Sequence, residues 1–464
     1  MVSTSPTEPS APVVPVHDDP ALLSRALRTD GRRVKMHPLE TSGRFSRVQV
    51  FLFPALIAFY AVLPWVNVGG HPAVLIDIPN RRFFLFGLTF NSTDFYLAFF
   101  VLSGIGFSLF VVSALFGRVW CGYACPQTVY LEGVYRKIEA LMEGPARKRA
   151  QREAGGWTLD RLARLAVKHA LFLAVSFVVA HLFIAYFASA EGVLAMIRQN
   201  PAENLTPFLW AWGTTLLLYF NFAWFREQLC IVLCPYGRLQ GALYDADTIT
   251  VGYDTRRGEP RGKKGSTTGD CVDCRKCVLV CPTGIDIRNG NQLECVGCAH
   301  CIDACDDVMV QVGRATGLIR YDSLAGLEGR ARRFLRPRLY GYLVAALAGL
   351  AALTTAVSVR KSFDAALLRA QANPRERQGD LVIQRFVVHV NSKSDEPRTF
   401  EISLEAPAGA EVILPMKTLE LQPFESRHVP AIVSLPFEKS GSGVLKLRTV
   451  EKESGKSRES QLPL

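Results

Sequence analysis

Five stretches without a charged residue, 48–76, 95–117, 169–190, 204–225 and 339–359, constrain this 464-residue chain more than anything else in it. An α-helix rises about 1.5 Å per residue, so about 20 apolar residues cross the hydrocarbon of a bilayer. Each stretch reaches that length, and five such helices do not fit inside one soluble domain. The reading is an α-helical membrane protein with five spans. Pro64 and the residues from Asn67 to Gly70 end the first helix near residue 68.

The net charge of +11 invites a nucleic-acid reading, and the positions of the charges remove it. Lysines and arginines number seven in 1–47, ten in 118–168 and seventeen in 226–338. Between them, 69–94 carries two and 191–203 carries one. Such alternation is the positive-inside pattern. It predicts a cytoplasmic N-terminus, cytoplasmic 118–168 and 226–338 segments, and an external C-terminus, with the basic surface drawn to anionic lipid. No nucleic-acid partner is expected.

Residues 1–46 are polar and carry five prolines in the first twenty plus Pro38, which reads as a disordered cytoplasmic tail without a cleavable signal. The apolar 83–90 stretch is too short to cross, and the sequence leaves open an interfacial segment or a short strand pair. From about 380 onward, short β-branched runs separated by turn signals predict a small external β-sandwich with a docking or structural role. The expected order is tail 1–46, four spans with two cysteine motifs in 47–256, a cluster module at 257–325, a fifth span at 338–360 and an all-β domain at 361–464.

All twelve cysteines fall into four motifs. Cys271, Cys274, Cys277, Cys281-Pro282 and then Cys295, Cys298, Cys301, Cys305 repeat the spacing of the bacterial ferredoxin that holds two [4Fe–4S] clusters, where the fourth cysteine of each run serves the other cluster. The expected ligand sets are Cys271, Cys274, Cys277 and Cys305, then Cys295, Cys298, Cys301 and Cys281. Eight thiols in two like runs do not suit zinc, and a reducing cytoplasm disfavours disulfides. Asp306 stands where the pattern has proline, and His300 reads as a hydrogen-bonding neighbour. Such a module relays single electrons and has no substrate site of its own.

The other four cysteines form Cys121-x-x-x-Cys125-Pro126 after the second apolar stretch and Cys230-x-x-x-Cys234-Pro235 after the fourth. Tyr135 and Tyr244 each follow the first cysteine by fourteen, which suggests an internal duplication. Positions i and i+4 share a helix face, so each pair is expected to converge, with the proline opening a following helix. Paired soft sulfurs take copper(I), zinc or an Fe–S cluster, or cycle as a disulfide. Copper suits a one-electron relay best. Whether the pairs make one site or two is open. His169 and His181, twelve apart, do not share a helix face and do not argue for haem.

The segment from Trp120 to Thr128 resembles a motif of the cytochrome c oxidase accessory proteins, the CcoG/FixG/RdxA family. The segments from Arg226 to Cys230, from Cys234 to Arg238 and from Gly317 to Tyr321 resemble it as well. The resemblance covers roughly 40–464 and includes the order of parts, with an immunoglobulin-like C-terminal domain. It implies a bacterial inner-membrane cupric reductase that passes electrons from two [4Fe–4S] clusters to copper at Cys121, Cys125, Cys230 and Cys234. The product, Cu(I), would serve assembly of the cbb3-type oxidase. Implied partners are a cytoplasmic electron donor, a copper chaperone or exporter, oxidase assembly factors and the lipid membrane; the oligomeric state, a homodimer among the options, is left open by the sequence. Two rivals stand beside it: a NapH/NosR-like electron donor to a periplasmic reductase, and a non-enzymatic copper carrier or assembly scaffold.

Overall fold

The computed structural model describes residues 35–91, 94–262, 269–333, 336–359, 362–370, 375–394, 396–437 and 443–463, plus two short paired strands, Leu22–Ser24 and Leu27–Arg28. Among the described residues, four helices are long and apolar enough to cross a membrane: Arg44–Trp65, Tyr96–Phe116, Leu159–Ala188 and Pro337–Ser358. The 204–225 stretch differs. It forms an α-helix over only Leu205–Phe220, continued by a π-helical turn at Asn221–Phe225. Sixteen α-helical residues rise about 24 Å, and the π-helical turn carries the rod on toward the about 30 Å of a hydrocarbon core.

Two compact units divide the chain, residues 1–76 with 100–350 and residues 77–99 with 351–464. In the first unit, the expected disordered tail lies outside the described residues for most of 1–34. The part from Lys35 onward is tied down. The Leu39 amide donates to Leu279 O at 3.0 Å, and the Glu40 carboxylate accepts from the Ala146 amide at 3.1 Å. Helix Arg44–Val62 has no side-chain cap of its own. Asp303 supplies one from the cluster module, accepting from the Ser46 amide at 2.8 Å and the Phe45 amide at 3.3 Å. That satisfies two amides that a helix start leaves orphaned.

The module is closed by antiparallel strands Thr250–Tyr253 and Ile319–Asp322, so it starts several residues before the expected 257. Val251, Val278, Ile287, Ile302, Met309 and Leu318 fill its core. Asp306, the departure from the ferredoxin pattern, accepts from the Gly317 amide at 2.8 Å and so pins the return strand.

In the second unit, the 83–90 segment is a strand pair. Arg82–Leu85 and Leu88–Asn91 run antiparallel around Phe86 and Gly87, both at positive φ (47° and 83°), as a tight two-residue hairpin requires. Arg82 places its guanidinium over the Phe424 ring, and Lys393 pairs with Asp94 at 2.8 Å. The C-terminal region is all-β, with a five-stranded and a four-stranded antiparallel sheet. Alternate residues such as Phe386, Val388, Val390, Val429 and Val433 share one core with Phe400, Leu421 and Leu447 of the other sheet.

Candidate redox centre

The two ferredoxin-type loops repeat one backbone shape. Asp273 and Arg275 in the first, and Gly297 and Ala299 in the second, all lie at φ between 50° and 66°. These are the second and fourth residues after Cys271 and Cys295. Left-handed residues at alternate positions curl a chain around a concavity and turn its amides inward, the arrangement that receives an anionic cluster.

Two cavities result. One is lined by Cys271, Cys274, Cys277 and Cys305, the other by Cys281, Cys295, Cys298 and Cys301 with Cys277 at its edge. Met309, Leu318 and Ile319 with Tyr253, Arg275 and Arg288 complete the first, and the apolar Val251, Ile285, Ile287 and Val296 the second. Burial pushes the thiols of Cys295, Cys298 and Cys305 up to about 12. A buried thiol becomes thiolate when a metal takes the charge. Four thiols around each cavity fit a cubane, which meets its ligands at four corners. Cys274 alone among the eight is exposed.

The paired motifs depart from the expected helix face. The Cys125 amide donates to Trp120 O at 2.9 Å and the Cys234 amide to Leu229 O at 2.8 Å, each five residues back. Cys125 (ψ 126°) and Cys234 (ψ 112°) are extended and precede a proline at the first position of a helix. Proline disfavours the α conformation in the residue before it, so each second cysteine leaves the helical segment that carries the first, Val119–Tyr123 or the π-helical turn Leu229–Leu233, and the motif ends in a wide turn. That both motifs share this turn supports the duplication.

The four thiols lie within electrostatic reach of one another. Burial and the neighbouring thiols push Cys121 and Cys230 up to about 12. Burial also raises Cys125, opposed by the Gln127 and Thr128 amides. The Cys121 thiol points to Gln240 Oε1 at 3.8 Å. Among the described residues, no three His, Cys, Asp or Glu side chains already converge on one point.

Several residues join the motifs to each other and to the second cavity. Gln127, two after Cys125, accepts from Asn221 at 2.7 Å and donates to Arg226 O at 2.9 Å. Arg226 and Arg149 share the buried Glu139 carboxylate, with Arg149 at 3.0 Å. Burial would raise Glu139, but Arg226, its hydrogen bond, Lys168 and Arg149 bring it down to about 2. Arg118 donates to Gly237 O beside the second motif and to Cys295 O at 3.4 Å. Gln49 donates to Gly122 O at 3.1 Å and Cys298 O at 3.2 Å, while its oxygen meets His300 Nε2 at 2.7 Å. His300 is thus bonded to Gln49. A Cβ on Gly122 would stand 2.7 Å from Gly297 O.

Residues 225–324 match a family model described as a 4Fe-4S dicluster domain, and 97–145 match one described as a 4Fe-4S binding domain. Protein RdxA of Cereibacter sphaeroides is 37% identical over 81% of this chain and 83% of its own. The chain belongs to the FixG/RdxA family. Protein RdxB of the same organism is 35% identical over 81% of this chain and 83% of its own length. Nitrogen fixation protein FixG of Rhizobium meliloti is 38% identical over 63% of this chain and 58% of that protein. With its iron–sulfur domains and apolar helices, this member of the family is a membrane electron-transfer protein.

Sequence reasoning missed Gln49, Arg118, Gln127 and Asp303. Gln49 carried one signal, an amide near the start of an apolar stretch. Asp303 lies between Cys301 and Cys305, and the cysteine spacing masks it.

Proposed function

We propose that this chain is a membrane-bound cupric reductase with Cys121, Cys125, Cys230 and Cys234 as the copper-binding residues. When bound, the [4Fe–4S] clusters held by the eight module cysteines supply single-electron transfer. Exposed Cys274 marks the side a cytoplasmic electron donor can approach. The observation that carries the reading is the packing of Gly122, inside the first pair, against Gly297, inside the second cluster loop. Main chains in contact give an electron a short path from module to thiol pair.

Cu(II) is the substrate. Its binding displaces thiol protons, one electron converts each Cu(II) to Cu(I), and thiolate sulfur favours the product. Rotation of the thiols toward a common point accompanies loading, and the wide turns leave them free to do so. Cu(I) then passes to a chaperone or exporter for assembly of a cbb3-type oxidase. The proposed setting is the bacterial inner membrane, with five spans, a cytoplasmic module and an external immunoglobulin-like domain. Two packings support that topology: the 82–91 hairpin on the C-terminal region, and residues 37–40 with 146–153 and 279 on the module side.

The test uses anaerobic protein, reduced with dithionite and then freed of it. Cu(II) is added with a chromophoric Cu(I) chelator. Stoichiometric Cu(I), cluster reoxidation, and loss of both when the four cysteines are replaced establish the activity. Clusters that stay reduced beside unreduced copper defeat it in favour of electron donation to a protein.

A further inference from the structure

Strands Leu381–Ser392 and Ser426–Pro436 of the C-terminal region pair antiparallel, and their register sets His389 directly opposite His428. Val388, Val390 and Val429 beside them point into the core at 0% exposure. Side chains alternate across a strand, so the two histidines stand together on the outer face. Their rings are 4.5 Å apart between centroids and inclined by 23°.

Several features separate this pair from an ordinary surface contact. Among the described residues, neither ring makes a hydrogen bond, so both keep an uncommitted nitrogen. His428 is exposed, and the last residue pair with strand Glu411–Ile413 falls at Ile432, so no strand covers its far side among the described residues. Around the pair the register places Ala366, Val387, Pro430, Asn391 and Ser426, with the Asp364 carboxylate next but one to Ala366 on the neighbouring strand.

We propose that His389 and His428 form a surface site for a divalent transition metal, with copper(II) bound most tightly. Directly opposed cross-strand residues have Cβ atoms about 4.5–5.5 Å apart. Turning both rings edge-on brings a nitrogen of each to the roughly 2.0–2.1 Å that a metal–imidazole bond needs. Water fills the remaining positions. Imidazole suits copper, zinc and nickel, and the stability order of the first-row ions puts Cu(II) at the top. The site shares no residue with the paired cysteines, and it stands or falls apart from the reductase reading.

The test is equilibrium dialysis of the full-length protein against micromolar Zn(II), an ion that thiols do not reduce. Wild type is compared with His389→Asn, His428→Asn and the double variant. Wild type should hold one equivalent more than the double variant, and each single variant should bind that equivalent at least tenfold more weakly. With Cu(II) and oxidised clusters, electron paramagnetic resonance should give two-imidazole nitrogen coupling that the double variant lacks. Both side chains lie outside the core, so an unchanged thermal midpoint checks the fold. Equal Zn(II) loading of wild type and double variant overturns the proposal.

Discussion

Gly122 and Gly297 are in backbone contact: a single carbon added at Gly122 would lie 2.7 Å from Gly297 O and 3.0 Å from Cys298 Cα. The turn that carries Cys121 and Cys125 therefore rests on the loop that carries Cys295 and Cys298. Gly122→Ala should force the two backbones apart at a cost of about 1–3 kcal/mol. All eight module cysteines remain, so cluster absorbance should survive. Copper-dependent reoxidation of reduced protein, followed by stopped flow, should slow at least tenfold. An unchanged rate would remove this contact from the electron path.

Gln49→Leu tests the same junction from the other side. It keeps the volume but strips hydrogen bonds from the buried Gly122 O and Cys298 O and from the half-buried His300. A buried polar group left without its partner costs about 1–3 kcal/mol. A lower thermal midpoint is expected, measured with intact cluster absorbance as the check on loading.

The division of labour between the cysteines is separable. Cys274→Ala should lose about half of the visible cluster absorbance, the share of the cluster it serves. Cys121→Ala and Cys230→Ala should keep it and lose copper binding. Identical behaviour of all three would contradict separate sites.

Glu139 is the shared anion of Arg149 and Arg226. Glu139→Gln leaves two buried guanidinium groups short of a counter-charge and should destabilise by about 3–5 kcal/mol, seen in detergent by thermal melting. The pH dependence has a definite sign. The folded-state pKa is about 2, below the ordinary carboxylate value, so the stabilisation is complete above that ordinary value. It is lost as pH falls toward 2, and the variant should lack this acid transition.

How much of this was readable beforehand varied with the reach of the interaction. Four of five apolar stretches announced helices of spanning length because hydrophobicity is carried by each residue alone. The fourth stretch was equally apolar, yet its α-helix stops at Phe220, where Asn221 bonds Gln127 of a distant segment and the backbone widens. Cysteine spacing foretold two loops because ligation is local. The expected shared helix face at 121/125 and 230/234 is broken at the second cysteine for a local reason as well, since Pro126 and Pro235 disfavour helical backbone at Cys125 and Cys234. Gln49 and Asp303 were out of reach, because each acts on a segment roughly 250 residues away. His389 and His428 became partners only through strand register.

Exposure of Cys274 has a further consequence, for survival in air. The opening that admits an electron donor also admits oxygen and peroxide, while Cys298 in the second loop is buried against the first cysteine turn. Oxidative damage should therefore begin at the Cys271, Cys274, Cys277 and Cys305 cavity. A partly inactivated preparation would hold half its iron, with its inner half still in place and cut off from supply.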